Sequence, residues 1–460
     1  MNSELLSEAV QERGKLFSLR SLQIWLHECG LDYGEIGKKG VYFDGHERDD
    51  VKLHRKQYIK RQRLRHRQYL RFDEELLDDP SYWMSNPNPY WNPPRGASGL
   101  ESRPILKVSH DESIYRLYGY ISKQWFEHNR PAILPKGDGR GFHVSDFITT
   151  FGPVKNVYGK PVRMTLGPIG NGCYWNSELF LAQVEEAVLG LHKQFPEFRF
   201  DFKFDNAPLH KKFAEDAPVL EKMNKNPGGK QPRMRETVWK HNGLPIKQNL
   251  VFPRLRKISG MYFNRGEPKG LLQVAKERIL RGAKFRKVES MNKVELIKEL
   301  KKFPDFKNVK NKLFELMDKL NQNLFNGEPR IMVEFLPKYH CELAEIELLW
   351  RNSKYTFRKE NDRQWRTTEK RVHKALDQFD ASYFAKLFRQ VKAIEYAYAD
   401  GLHTNEILHL TETNFLKLVN KLSAKRKSHR GAAPLQKEKS WKFLTLNERT
   451  EREYVQLPVP

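Results

Sequence analysis

Cysteine is scarce in this chain: Cys29, Cys173 and Cys341 are its three, each far from the others. That spacing excludes a disulfide scaffold and a cysteine-based zinc site, and it implies a reducing compartment. Long apolar runs are also missing. No stretch approaches the roughly 18 residues a membrane-spanning helix needs, and the N-terminus has no apolar leader core, so neither a span nor export is expected. Acidic residues are short relative to basic ones, 57 against 82, which leaves a net charge of +25. Aromatics are not lacking. At 12% aromatic and 39% hydrophobic, the 460 residues have enough apolar surface for a folded protein of two or three domains.

A surplus of positive charge this large points to a polyanionic partner, first of all nucleic acid. At the N-terminal end, Ser18 or Ser21 can cap a short helix with Leu22, Trp25, Leu26 and Cys29 on one face, ended by Gly30. Its other face offers Arg20, Gln23 and His27, suited to a DNA groove but equally to an ordinary packing helix. A basic segment follows, with Arg55, Lys56, Lys60, Arg61, Arg63, Arg65, Arg67 and Arg71 interleaved with Tyr58, Ile59 and Leu64. It reads as a helix for phosphate contact or nuclear import, with a solvated charged helix as the plainer alternative. The prolines at 87, 89, 93 and 94 then break the chain.

From about residue 103 strands and helices alternate, the pattern of an α/β core. Strands are expected over Ile105–His110, Gly141–Ile148 and Ile331–Phe335, and a helix from the Asn176–Ser177 cap. Phe198, Phe200, Phe202 and Phe204 alternate with Arg199, Asp201 and Lys203, which predicts a strand with one face in the core. Between about 216 and 328 the texture changes to that of an insertion, opening with a glycine-rich basic loop that carries Lys230, Arg233 and Arg235. The expected division is therefore 1–50 helical, 51–100 basic helix and linker, 101–400 an α/β domain with its insertion at about 216–328, and 401–460 a basic extension.

Three carboxylates stand out by position: Asp111 at the end of the first core strand, Asp205 at the end of the phenylalanine strand, and Glu347 on the helix after the last strand. Strand ends converge on one rim of an α/β sheet, so the three can meet. Hard divalent ions want oxygen ligands, and two such ions suit in-line displacement at a phosphodiester. Taken singly, Asp111 and Asp205 read equally as cap or turn residues and Glu347 as an ion-pair member. Glu342 and Glu345 are rivals on the same helix, Asp201 reads as a partner for Arg199 or Lys203, and Trp125 and Trp175 read as core. His340 and Cys341 have no ligand partners at metal-site spacing.

Asp111-Glu112-Ser113, Asp205-Asn206 with His210 downstream, and Ile346-Glu347 before Trp350 resemble the three catalytic blocks of the mariner-type transposase superfamily. Trp25-Leu26 through Asp44-Gly-His-Glu-Arg48 resembles the end of its helix-turn-helix region. Asn226-Pro-Gly-Gly-Lys-Gln-Pro232 and Ser428-His-Arg430 are similar to a eukaryotic subgroup, and the likeness runs from about 20 to 430. It implies a ribonuclease-H-like core, a mixed sheet flanked by helices, with a large insertion, a helical N-terminal region and a helical C-terminal extension. It further implies two Mg²⁺ or Mn²⁺ ions held by Asp111, Asp205 and Glu347, with Asn206 and His210 in support, and cutting and joining of DNA. The implied partner is double-stranded DNA, as transposon terminal inverted repeats, bound by a homodimer in the nucleus. The stretch from Asp205 to Glu347 is longer than in compact members, and the N-terminal region is shorter than paired DNA-binding subdomains require. A transposase-derived DNA-binding protein without catalysis and an RNA nuclease are the competing readings.

Overall fold

The computed structural model describes residues 18–29, 31–35, 45–65, 68–69, 99–120, 123–127, 137–169, 174–258, 260–285, 287–399 and 401; of 31–35 and 123–127 only the backbone is described. Gly30, Arg67, Arg71, the proline cluster, the Trp125 side chain and the tail with Ser428-His-Arg430 lie outside these residues.

Helix α1 (Leu19–Glu28) starts at Ser18, whose side chain accepts from the Ser21 amide. Strand β1 (Leu31–Glu35) follows, then the basic helix α2 (Asp49–Arg65). Strand β2 (Ile105–Arg116) opens the main sheet, while β3 (Lys123–Glu127) pairs outside it with β1. Next come β4 (Gly141–Thr149), β5 (Gly152–Pro153), β6 (Met164–Leu166), helix α3 (Ser177–Gln194) and β7 (Arg199–Phe204).

The segment after β7 builds hairpins β8 (Thr237–His241)–β9 (Leu244–Gln248) and β10 (Arg256–Ile258)–β11 (Met261–Phe263). Helices α4 (Leu271–Ile279), α5 (Lys293–Leu300) and α6 (Pro304–Lys307) complete it. Helix α7 (Lys312–Phe325), strand β12 (Ile331–Phe335) and helices α8 (Glu345–Lys359), α9 (Trp365–Asp377) and α10 (Ala381–Ala399) follow. Among the described residues no helix is long and apolar enough to cross a membrane.

The sheet runs β12-β7-β2-β4-β5, with β6 also on β4. β2, β7 and β12 are parallel; β4 is antiparallel to β2, and β5 and β6 are antiparallel to β4. This mixed order, with helices on both faces, is the ribonuclease-H-like fold.

One face is covered by α3 and α7. Asn176 caps α3 by accepting from the amides of Glu178 and Leu179 at 3.0 Å each. Its helical stripe (Phe180, Val184, Ala187, Val188, Leu191) packs on Phe200, Phe202 and Phe204 and on Leu313, Met317 and Leu320 of α7. Each such side chain contributes about 1.5–3 kcal/mol on burial. Gly190 lets α3 approach the chain after β5: a Cβ there would lie 1.9 Å from the Lys155 carbonyl oxygen. Helix α7, expected within the insertion, thus belongs to the sheet. The separate core of the insertion draws on Leu220 through Phe306, and it is shorter than the expected 216–328.

The other face of β7 corrects the one-sided strand expected from its alternation. Arg199, Asp201 and Lys203 are buried too, because α2 and α10 cover them. Asp201 is 2.8 Å from Lys203 and 3.2 Å from Arg65; it pairs with Lys203 and not with Arg199. Glu334, the register partner of Lys203, receives Arg61 at 2.6 Å and Arg65 at 3.0 Å. Lys107, the register partner of Asp201, lies 3.0 Å from Glu345 and 3.2 Å from Glu395 of α10. The basic helix is bolted to the sheet by its own cations. Buried charges persist only when paired in this way.

Candidate active site

Asp111 lies inside β2, five residues before its end, not at its end. What ends beside it is β7: parallel pairing with β2 stops at Ser109–Lys203, and β2 continues as a partner of β4, with Asp111 opposite Asp146. Asp205 is the residue immediately after β7. Its Oδ1 accepts from the Ala207 amide at 2.9 Å, folding the chain away from the sheet. Glu347 stands in the first turn of α8, whose start is fixed by the Ile346 amide donating to Ser109 Oγ at 3.3 Å. That bond ties the helix to β2 two residues from Asp111.

The structure brings the three carboxylates to one rim: Asp205 follows β7 beyond the Ser109–Lys203 pair, Asp111 lies two residues past Ser109, and Glu347 adjoins Ile346, which bonds Ser109. The negative charge of Asp205 bears on both Asp111 and Glu347. Burial, then the Glu347 and Glu112 carboxylates, push Asp111 well above the ordinary range. Burial and the Asp205 charge also raise Glu347, against the pull of Lys354. Each of the three keeps an open side. Carboxylates gathered at a half-open rim, two of them pushed up by burial and by one another's charge, are a set of oxygen donors short of positive charge, which fits a hard divalent ion.

Around them sits a shell that the sequence showed only in part. Trp350, one turn beyond Glu347, donates its Nε1–H to Asp111 Oδ2 at 3.0 Å. His210 is buried between two carboxylates, with Nδ1 at 2.7 Å from Asp205 and Nε2 at 3.1 Å from Glu112. Burial opposes its charge, but the two carboxylates prevail and push it up to about 9. Glu112 also accepts from Trp175 Nε1 at 2.7 Å; against its burial, His210 and its other neighbours hold its carboxyl down at about 2. Trp175, expected as core, is therefore only partly core: it stacks on His143 and anchors Glu112. Asn206 donates to the Leu336 carbonyl and accepts from Lys211, fastening the end of β7 to that of β12. Glu112, Trp175 and Lys354 were missed as site residues; only the adjacency of Glu112 to Asp111 offered a signal.

The rivals of Glu347 are occupied elsewhere, Glu345 by Lys107 and Glu342 by His340 at 2.7 Å and Tyr398 at 2.5 Å. His46, His340 and Glu342 offer donor atoms within 4.8 Å of one another, so His340 does have neighbours of metal-ligating type, 294 residues upstream at His46 and two residues on at Glu342. The Arg55 guanidinium, 3.5 Å from His340 Nε2, already supplies a cation there.

The residues expected at DNA are not gathered in one place. Arg20 and Gln23 are exposed on α1, where Trp25 is 46% exposed and only Leu26 of the apolar stripe is fully buried. Lys56 and Lys60 face solvent on α2. Arg55 pairs with the exposed Glu47 at 3.2 Å, and Arg61 turns inward to the buried Glu334 at 2.6 Å. Lys230 and Arg233 are exposed, whereas Arg235 pairs with Glu315 and Asp216. The Asn226–Pro232 loop is held in place: Gly228 and Gly229 take φ of +77° and +72°, and Gln231 bonds the Asn224 amide and the Gly228 carbonyl. Amides of Leu271 and Leu272 donate back to Asn224 and Lys225, so the loop caps α4.

The sheet order is that of the ribonuclease-H-like fold. Among solved structures the chain is similar to a pre-cleavage Mos1 transpososome, at 12% identity and a TM-score of 0.38, over 88% of this chain and 80% of that one. It is also similar to the Mos1 mariner paired-end complex with Mn, at 12% identity and TM-score 0.38 over 87% and 78%. A third is the Mos1 transposase paired-end complex with left transposon end, at 11% and 0.36 over 86% and 76%. No protein-family model and no curated protein matches the sequence.

Proposed function

We propose that this chain is a metal-dependent DNA endonuclease and strand transferase of the transposase type, with Asp111, Asp205 and Glu347 as the metal-holding residues. The observation that carries the reading is the placement of Asp111, Asp205 and Glu347 on one rim where β7 ends, with Trp350 bonded to Asp111 and the start of the Glu347 helix bonded to β2. These residues would hold Mg²⁺ or Mn²⁺, two ions on this reading, which would supply Lewis acidity for phosphodiester chemistry. The protein's own part is placement. Trp350 orients Asp111, His210 and the Ala207 amide orient Asp205, and the Ser109 bond to Ile346 sets the helix that bears Glu347. The net charge of +25 supports a double-stranded DNA substrate and fits work in the nucleus. Transposon ends, bound by a homodimer, are the substrate proposed.

The test is nicking of supercoiled DNA in Mn²⁺ or Mg²⁺. Nicking should vanish in Asp111→Asn, Asp205→Asn and Glu347→Gln while DNA binding stays. Cleavage that survives all three changes would overturn the assignment, and a wild-type chain that binds DNA but never nicks under Mn²⁺ would leave a DNA-binding protein without catalysis.

A further inference from the structure

The positive charge of the chain is concentrated in one place. Residues 220–306 hold 22 Lys and Arg against 8 Asp and Glu, a net of +14 out of +25. This is the segment with its own hydrophobic core. Eight acids cannot answer 22 cations, and ion pairs hold Arg235, Lys247, Lys269, Lys276, Arg278, Lys301 and Lys302. The β10–β11 hairpin groups four cations outside that set. Arg254, Arg256, Lys257 and Arg265 are all exposed, no carboxylate interrupts the sequence from 254 to 266, and none of the four forms an ion pair with a described residue.

The hairpin is also rigidly based. Phe252 and Phe263 stack at 5.4 Å beneath it, and the Gly266 amide donates to the Phe252 carbonyl at 2.8 Å. Above that base, large apolar side chains are held out in water: Met261 is 59% exposed and Tyr262 64%. Lys257 and Tyr262 are register partners, with the ammonium 5.2 Å from the ring centre. Cations for phosphate beside an aromatic and an apolar wedge are the elements of a nucleic-acid contact.

We infer that the β10–β11 hairpin is a second DNA-gripping element, a two-stranded ribbon laid on duplex DNA with Arg254, Arg256, Lys257 and Arg265 on phosphates and Met261 and Tyr262 against sugar or base edges. The inference rests on the DNA-cutting reading above, and it assigns the grip to the insertion and not to helix α2. Duplex DNA is favoured over a membrane or an acidic protein on three grounds. Three of the four cations are arginines, whose planar fork matches phosphate; a two-stranded ribbon fits the major groove; and no acidic residue shares the hairpin.

The experiment measures affinity of the full chain for a labelled duplex by fluorescence anisotropy across a salt series. Each phosphate contact contributes about 0.9 to the slope of log affinity against log salt. Removing four cations together, Arg254→Ala, Arg256→Ala, Lys257→Ala and Arg265→Ala, should lower the slope by about 3 to 4. Lys293→Ala, Lys298→Ala, Lys301→Ala and Lys302→Ala remove the same charge from the helical side of the insertion and should leave the slope near wild type. Tyr262→Ala should weaken binding with the slope unchanged. An unaltered slope in the hairpin variant overturns the inference, as does an equal fall in both variants. Loss of binding to anionic vesicles but not to DNA overturns it in favour of a membrane contact. Nicking assayed on the same proteins separates the two claims: a chain that nicks but keeps its slope in the hairpin variant sinks only the hairpin, and one that grips through the hairpin but never nicks sinks only the catalytic reading. A wild-type chain that fails to bind duplex DNA sinks both.

Discussion

Asp205 accepts from the Ala207 amide at 2.9 Å, and His210 Nδ1, five residues on, lies 2.7 Å from the same carboxylate while its Nε2 reaches Glu112 on the neighbouring strand. A carboxylate so clamped meets a metal in one orientation, and removing an orienting partner of a metal ligand typically costs about 10–100-fold in affinity or activity. His210→Ala should therefore raise the Mn²⁺ concentration needed for half-maximal nicking by roughly that factor, with little change at saturating Mn²⁺. An unchanged Mn²⁺ requirement would show that Asp205 needs no such clamp. Asp205 was legible in the sequence because the phenylalanine alternation places it at a strand end. Glu347 was legible partly through its place beside the stripe that ends at Trp350 and partly through the family resemblance; Trp350 itself bonds Asp111 directly. Glu112 and Trp175 were not, since their roles depend on contacts 98 and 63 residues away along the chain.

Helix α2 shows the same limit at the scale of an element. Its run of arginines has the composition of a DNA-facing helix, yet Arg61 and Arg65 reach acids 273 and 136 residues away that no local pattern reveals. The strand alternation carried half of the information: it gave the phenylalanine face of β7 and left the charged face looking solvated. That face is a buried lattice, and breaking a buried pair by removing one partner costs about 3–5 kcal/mol. Asp201→Asn should cost that much in urea unfolding, because Lys203 and Arg65 lose their shared anion in a dry site. The pH dependence has a definite sign. Burial opposes ionisation of Asp201, but Lys203 and Arg65 prevail and hold its carboxyl down at about 2, below its ordinary 3.8. Its contribution is then complete above about pH 4 and is lost as pH falls toward about 2, worth roughly 2 kcal/mol. The stability gap between wild type and Asp201→Asn should narrow over that window. A gap independent of pH would mean that the lattice is not anchored by this charge.

At the scale of the molecule, the chain leaves the sheet after β7 and returns to it at one point: the Lys312 amide donates to the Lys212 carbonyl at 2.9 Å. Everything between is a loop in the topological sense, and it can be long at small entropic cost because closure entropy grows only with the logarithm of length. The existence of this insertion is legible in the change of texture along the chain. Its return point is not, since α7 is as amphipathic as any surface helix until α3 is seen packed against it. A return point fixed by a sheet-side hydrogen bond and a separate core make the insertion removable. Replacing 220–306 by a short Gly/Ser linker should leave a folded sheet with its carboxylates assembled. The pairs of Arg235 with Asp216 and Glu315 are the main loss, and exposed pairs of that kind are worth at most about 1 kcal/mol. The shortened chain should melt cooperatively but bind duplex DNA with a smaller salt slope than even the four-cation hairpin variant, because the excised segment carries +14 of the +25. If it instead fails to fold, the insertion is part of the catalytic core's stability, and its basic surface then evolved on a structural element that the sheet cannot do without.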